Sequence, residues 1–166
     1  MMIAAYETGM RFGEIVSLNW DQVDLVKGFI YLRPEQTKIN EGRKVPISPR
    51  LMQTLTAMKP RRGSVFSYQG KSIGSIKHSF SRTCRLAGVE NFHFHDFRHT
   101  FVTRMRRAGK QDRSIMAITG HKTMAMLMRY DTVDEEDLKG VVMDTLGEQN
   151  CTNIAHGGLE AKTAVT

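Results

Sequence analysis

Glycines cut this chain into segments too short for any long helix, and that limits its fold more than any other feature. Gly9, Gly88, Gly109 and Gly120 each follow a run of helical character, where a glycine can take the left-handed conformation that closes a helix. Residues 1–18 therefore read as helix broken at Thr8-Gly9, with a fresh turn starting near Arg11. Ser48-Pro49 opens a helix running to about Met58, since serine caps and proline suits a first turn. Ser72 to Ala87 reads as another, with Ile73, Ile76, Phe80 and Leu86 broadly on one face; His95 to Ala108 is a third, with Phe97, Phe101 and Met105 four apart. Asp112 is expected to cap a short helix ending at Gly120, Thr123 to Arg129 to form one more, and Asp134 to cap a last helix through Leu146. Strand formers gather at Phe29–Leu32 and Lys44–Ile47, and the polar Thr37 to Gly42 between them predicts a β-hairpin tip. Pro46 has no N–H to donate, so its strand belongs at a sheet edge. The expected class is α+β, mostly helical with a small antiparallel sheet.

Charge is distributed unevenly over the 166 residues, whose net charge is +7. Residues 1–32 carry net −2 and residues 130–166 net −6, whereas residues 33–129 hold twenty Lys/Arg against five acids, net +15. A segment that basic repels itself unless it meets a polyanion, of which nucleic acid is the commonest; a solvated basic face is the alternative. No stretch approaches the roughly 20 apolar residues of a membrane span. Cys84 and Cys151 are too few and too far apart for a disulfide framework, which suits a reducing cytosol. The eleven methionines, Met116, Met124, Met126 and Met128 among them, read as core filler or a helix-docking surface.

Several polar residues stand where folding alone would not put them. Arg11 opens a helical turn in TGMRFGEIVSLNWDQVD, with Glu14 three residues on, and Lys38 lies near a hairpin tip in TKINEGRKVPIS. His95 and Arg98 share a helical face in HDFRHTFVTRMRRAG, where Asp96 lies between them. His121 follows a helix break in ITGHKTMAMLMRYDTV, and Tyr130 comes nine residues later. Taken singly, each has a plain structural role: a surface ion pair, a satisfied helix histidine, a half-buried tyrosine.

Taken in order, these four strings resemble the boxes of the tyrosine recombinases, the phage-integrase class, over about Tyr6 to Val133. The resemblance implies a catalytic domain of the DNA breaking-rejoining type over residues 1–146; from Gly147 onward the small, polar composition predicts a flexible tail over 147–166. It also implies an N-terminal truncation, since family members carry a separate DNA-binding domain ahead of the first box. The activity implied is cleavage and rejoining of double-stranded DNA through a 3′-phosphotyrosyl link, in site-specific recombination or integration of mobile DNA. Tyr130 corresponds to the nucleophile, Arg11 and Arg98 to the clamp on the non-bridging oxygens, and Lys38 to the acid that protonates the leaving 5′-oxygen. His95 and His121 correspond to positions that contact phosphate or handle protons, and Glu14 and Asp96 to supporting carboxylates. No metal, ATP or other cofactor is implied; the partners are DNA and further copies of the chain, in a tetramer docked through the helix at 134–146. The setting implied is the cytoplasm, for a bacterial or phage-derived protein.

Other readings share some of these residues. A type IB topoisomerase would use the same phosphotyrosine to relax supercoils, and a fragment lacking its other half could bind DNA without cleaving it. His95 and His99 stand at the i, i+4 spacing of a metal pair, but Asp96 replaces the glutamate of the zinc-protease pattern, Arg98 intervenes and no third ligand is evident.

Overall fold

The first helix stops where the sequence puts glycine. In the computed structural model, which describes residues 1–38, 40–58, 61–129 and 139, α1 (Met2–Thr8) ends at Gly9 with φ +63°. A Cβ at Gly9 would lie 2.8 Å from Cδ1 of Phe101, so glycine is required there by backbone conformation and by packing. The chain divides into units Met1–Asp131 and Thr132–Thr166; the architecture below is that of the first.

After the break, α2 (Phe12–Val16) starts at Arg11 as its N-cap. Strands β1 (Val23–Asp24), β2 (Phe29–Leu32) and β3 (Arg43–Pro46) form an antiparallel sheet in that order. Ile30 pairs with Val45 and Leu32 with Arg43. Alternation sends Ile30, Leu32 and Val45 into the core, and Pro46 lies on the outer strand as its missing donor requires. Helix α3 (Pro49–Ala57) is capped by Ser48, whose Oγ accepts from the Leu51 amide at 3.2 Å.

The expected helix from Ser72 to Ala87 starts five residues late. Ser67–Tyr68 and Lys71–Ser72 form β4 and β5, an antiparallel pair. They are joined through Gln69 (φ +51°) and Gly70 (φ +75°), the two left-handed residues of a primed turn. Helix α4 covers only Lys77–Leu86, and Leu86 is 76% exposed rather than on a buried face.

Helices α5 (Asp96–Arg107), α6 (Asp112–Thr119) and α7 (Met124–Met128) then follow the expected runs closely. Asp112 is the first residue of α6 rather than its cap, and its carboxylate accepts from Arg106 Nε at 2.9 Å. Of the expected helix at 134–146 only Lys139 is described, helical and exposed; the rest of it, and the expected tail at 147–166, lie outside the described residues. Helix α1 packs on α5 and α3, and α6 on β3. The main core joins α1, α2, the sheet and α3; Val102, Ile115 and Leu127 make a smaller one. Met116 packs against the smaller core, while Met124, Met126 and Met128 are exposed and so are not core filler. No helix among the described residues is long and apolar enough to cross a membrane.

Candidate functional site

Four elements converge at one place: the start of α2, the first residue of β3, the first turn of α5, and the loop from α6 to α7. At its base lies Glu14, 1% exposed. Oε2 accepts from the Arg11 amide at 2.8 Å and from Arg43 Nη2 at 2.7 Å. Oε1 accepts from Arg11 Nη1 at 3.1 Å and from Arg43 Nη1 at 2.9 Å. Four donors fill the four lone-pair positions of the carboxylate, which leaves it no capacity to act as a base. Burial pushes the Glu14 carboxyl up, but the hydrogen bonds and charges of Arg43 and Arg11 outweigh it and hold it below the usual carboxylate range.

Arg11 is thereby fixed while its side chain stays 21% exposed. Its Nη2 reaches the Gly120 carbonyl at 3.5 Å, the outer limit of a hydrogen bond. Arg98 comes to the same loop from α5 and is 1% exposed. Its Nη1 donates to the Gly9 carbonyl at 2.9 Å, and its Nη2 meets Nε2 of the buried His121 at 3.1 Å.

That contact defines the histidine's tautomer. The Thr119 hydroxyl donates its single hydrogen to the Ile115 carbonyl at 2.7 Å, so at 2.8 Å it can only accept from His121 Nδ1. Nδ1 therefore carries the proton and Nε2 accepts from Arg98. Burial, then the charges of Arg98, Arg11, His95 and Arg43, lower the His121 pKa to about 4. The unfolded chain protonates this ring near 6.5, so the neutral form contributes its full stability above that pH and loses it as pH falls from 6.5 toward 4. Nitrogen-15 NMR of the ring is expected to report an Nδ1–H tautomer titrating near 4; titration near 6.5, or an Nε2–H tautomer at pH 7, would contradict this arrangement. His121→Gln is expected to flatten the stability–pH curve across the same window.

Of the other sequence-predicted residues, His95 and Asp96 lie at the start of α5, beside this cluster rather than in it. His95 is the N-cap of α5 and exposed, its ring edge-on to His99 at 5.1 Å. Burial lowers its pKa, as do the charges of His99 and Arg98, against the opposing pull of Asp96. Asp96 accepts from the His93 amide at 2.6 Å and pairs loosely with the His99 ring at 3.9 Å, which ties down the entry to α5. No group of three His, Cys, Asp or Glu among the described residues is arranged to hold a metal. Lys38 is exposed on the connection between β2 and β3. Tyr130 lies outside the described residues; Arg129, just before it, caps α7.

The structure adds one member that sequence reasoning missed. Arg43 heads β3, its side chain 8% exposed, with Nε donating to the Ile118 carbonyl at 2.7 Å. Strand alternation was the available signal: Arg43 shares its face with Val45, which is fully buried, so a cation there needs a buried carboxylate.

With Glu14 ionised and His121 neutral, the three arginines leave the cluster at net +2. Beside it opens a cleft of about 720 Å³ lined by Arg43, Lys44, Arg113, His121 and Lys122, with Glu41 the one acid on its walls. Fixed guanidiniums beside a basic cleft suit a phosphate, whose oxygens two such forks can hold at once. An apolar cavity of about 660 Å³, lined by Phe12, Phe80, Cys84 and Phe92, shares no residue with this site.

The model of the phage integrase family matches residues 1–137. The chain is 38% identical over 128 residues to the shufflon-specific DNA recombinase of Escherichia coli, covering 76% of this chain and 32% of that protein. It is 28% identical over 153 residues to tyrosine recombinase XerC of Stutzerimonas stutzeri (strain A1501), covering 85% of this chain and 50% of the relative. The chain thus spans about a third to a half of the length of these curated relatives. Among solved structures, the catalytic domain of bacteriophage HP1 integrase is 26% identical, with TM-score 0.64 over 90% of this chain and 82% of that one. XerA recombinase, 24% identical, shares the fold with TM-score 0.69 over 85% of this chain and 54% of that one.

Proposed function

This chain belongs to the phage integrase family, and from that premise we propose that it cleaves and rejoins double-stranded DNA through a 3′-phosphotyrosyl intermediate, in site-specific recombination or integration of mobile DNA. The observation that carries the reading is the convergence of Arg11 and Arg98 on the Gly120–His121 loop, with Arg11 held by a carboxylate whose lone pairs are all taken by arginine donors. The Tyr130 oxygen attacks phosphorus, the bond to the 5′-oxygen breaks, and Lys38 supplies the proton that leaves with it as a hydroxyl. Arg11 and Arg98 hold the non-bridging oxygens where negative charge grows, the main demand of phosphoryl transfer. A phenol with an ordinary pKa of about 10 is a weak nucleophile at neutral pH; the same cations favour its phenolate.

Rejoining is the reverse step with a 5′-hydroxyl as nucleophile, and it needs no ATP because the phosphotyrosine retains the bond energy. Strand exchange is favoured over simple relaxation, since the relatives carry recombinase and integrase names. DNA as partner is supported by the basic segment 33–129 and by the Tn1549 integrase, which shares the fold (18% identical, TM-score 0.70) and whose structure is a complex with DNA. Self-association on DNA through residues 134–146, in a bacterial cytoplasm, belongs to the same proposal.

A nicked suicide duplex tests it. Cleavage releases a short 5′-hydroxyl fragment and traps the covalent species, read as a protein–DNA band on a denaturing gel in EDTA. The expected band, digested and mapped by mass spectrometry, carries the nucleotide on Tyr130. Linkage to another residue, or a band that needs a divalent metal, would overturn the mechanism. DNA binding without any band would favour a DNA-binding fragment that needs its other half to cleave.

A further inference from the structure

We infer that Arg43 is a positioning residue for the cleavage step, a strut that holds Arg11 and the Gly120–His121 loop in one fixed relation; the inference rests on the function proposed above. Its guanidinium contacts two separate parts of the chain, the start of α2 and the end of α6. Nη1 and Nη2 clasp both oxygens of Glu14, which in turn holds Arg11 through its amide and its Nη1. Nε holds the Ile118 carbonyl near the end of α6. The flat group also lies under Gly120, where a Cβ would come within 3.2 Å of Nη1, and Gly120 directly precedes His121. Gly120 is thus both a helix stop at φ +73° and the seat for Arg43. Because Leu32 and Arg43 are paired in the sheet, the strut stands on the hairpin that also carries Lys38.

Only a planar fork can make these contacts together. A lysine at position 43 keeps the charge but offers one ammonium in place of three directed N–H groups. Glu14 would then hold Arg11 without being held itself, and the α6 terminus would lose its tie to β3.

The test is Arg43→Lys assayed on the nicked duplex in single turnover, alone and in an Arg11→Lys background, with thermal melting beside it. Cleavage at saturating DNA is expected to fall roughly 10- to 100-fold, the scale on which small misplacements of positioned groups act. DNA affinity is expected to hold within about threefold, because the hydrogen bonds that Arg43 makes run to protein groups and not to phosphate. In the Arg11→Lys background the same change is expected to cost less than about threefold, since both lesions act through one guanidinium. Full additivity, wild-type cleavage by Arg43→Lys, or a defect confined to affinity would overturn the inference. If the lysine variant does not fold, Arg43→Met, of similar length and uncharged, takes its place.

If the wild-type chain forms no covalent species, the proposed function has failed and Arg43 is judged separately. Nitrogen-15 NMR of the free protein then reads the Arg11 Nε–Hε group: hindered guanidinium rotation in the wild type, abolished in Arg43→Lys, supports the strut. Equal rotation in both proteins overturns it.

Discussion

Replacing Tyr130 by phenylalanine is expected to abolish the covalent protein–DNA band, with cleavage reduced by at least about 10⁴-fold, because the oxygen proposed as the nucleophile is removed. Among the described residues of the cluster, neither Glu14 nor His121 can stand in for it. Glu14 has every lone pair occupied by arginine donors, and the one basic nitrogen of His121 is turned to Arg98. Binding of the duplex is expected to stay within about twofold, since affinity comes from phosphate contacts and one hydroxyl adds little to them. A mobility-shift titration beside the denaturing gel separates the two quantities. A residual adduct at even about 1% of the wild-type level would assign the nucleophile to another residue, because removing a covalent nucleophile leaves no such route.

Glu14→Gln is expected to destabilise the fold by about 3 kcal/mol, the scale for breaking a buried ion pair on one side. That corresponds to a fall of roughly 10 °C in Tm for a domain of this size. The amide keeps the shape of the carboxylate but loses its charge and turns one acceptor into a donor. Arg43, at 8% side-chain exposure, and Arg11, at 21%, would then face each other without a counter-charge. The effect has a definite pH dependence. The Glu14 pKa is lowered in the folded state from its ordinary 4.5, so its contribution is present above that pH and is lost as pH falls through the lower folded value. Wild type and variant are expected to differ most at neutral pH and to converge in acid; melting temperatures within about 2 °C of each other at pH 7 would refute the assignment.

What can be read from the sequence is local. Gly9, Gly109 and Gly120 mark helix ends because the left-handed conformation is a property of the residue itself. Ser48-Pro49 marks a helix start for the same kind of reason. The Gln69–Gly70 turn escapes a sequence reading because Ile73 and Ile76 carry helical spacing into a stretch where Ser72 already pairs with Ser67. Arg43 escapes it because its partners are remote: Glu14 lies 29 positions away and Ile118 75. Asp112 carries the signature of a cap, yet its carboxylate goes to Arg106, six residues back across the α5–α6 turn. The arginines and histidines of the site can be named from their order along the chain, whereas the state of His121 depends on a threonine hydroxyl whose own donor bond runs along α6.

The loop that carries Lys38 is closed at its base. The Thr37 hydroxyl accepts from the Glu41 amide at 3.1 Å, and the Glu41 carboxylate reaches Lys122, the residue after His121, at 3.3 Å. Only residues 38–40 lie between Thr37 and Glu41, and three residues span at most about 10 Å fully extended. Lys38 is therefore on a short leash whose anchor is bonded to the neighbour of His121. In the mechanism proposed above, that tether limits the volume its ammonium can explore, so protonation of the departing oxygen would be an intramolecular event with a high local concentration of acid. On that mechanism the rate of proton transfer depends on loop length, and inserting glycines between Thr37 and Glu41 is expected to slow it while leaving Arg11 and Arg98 in place.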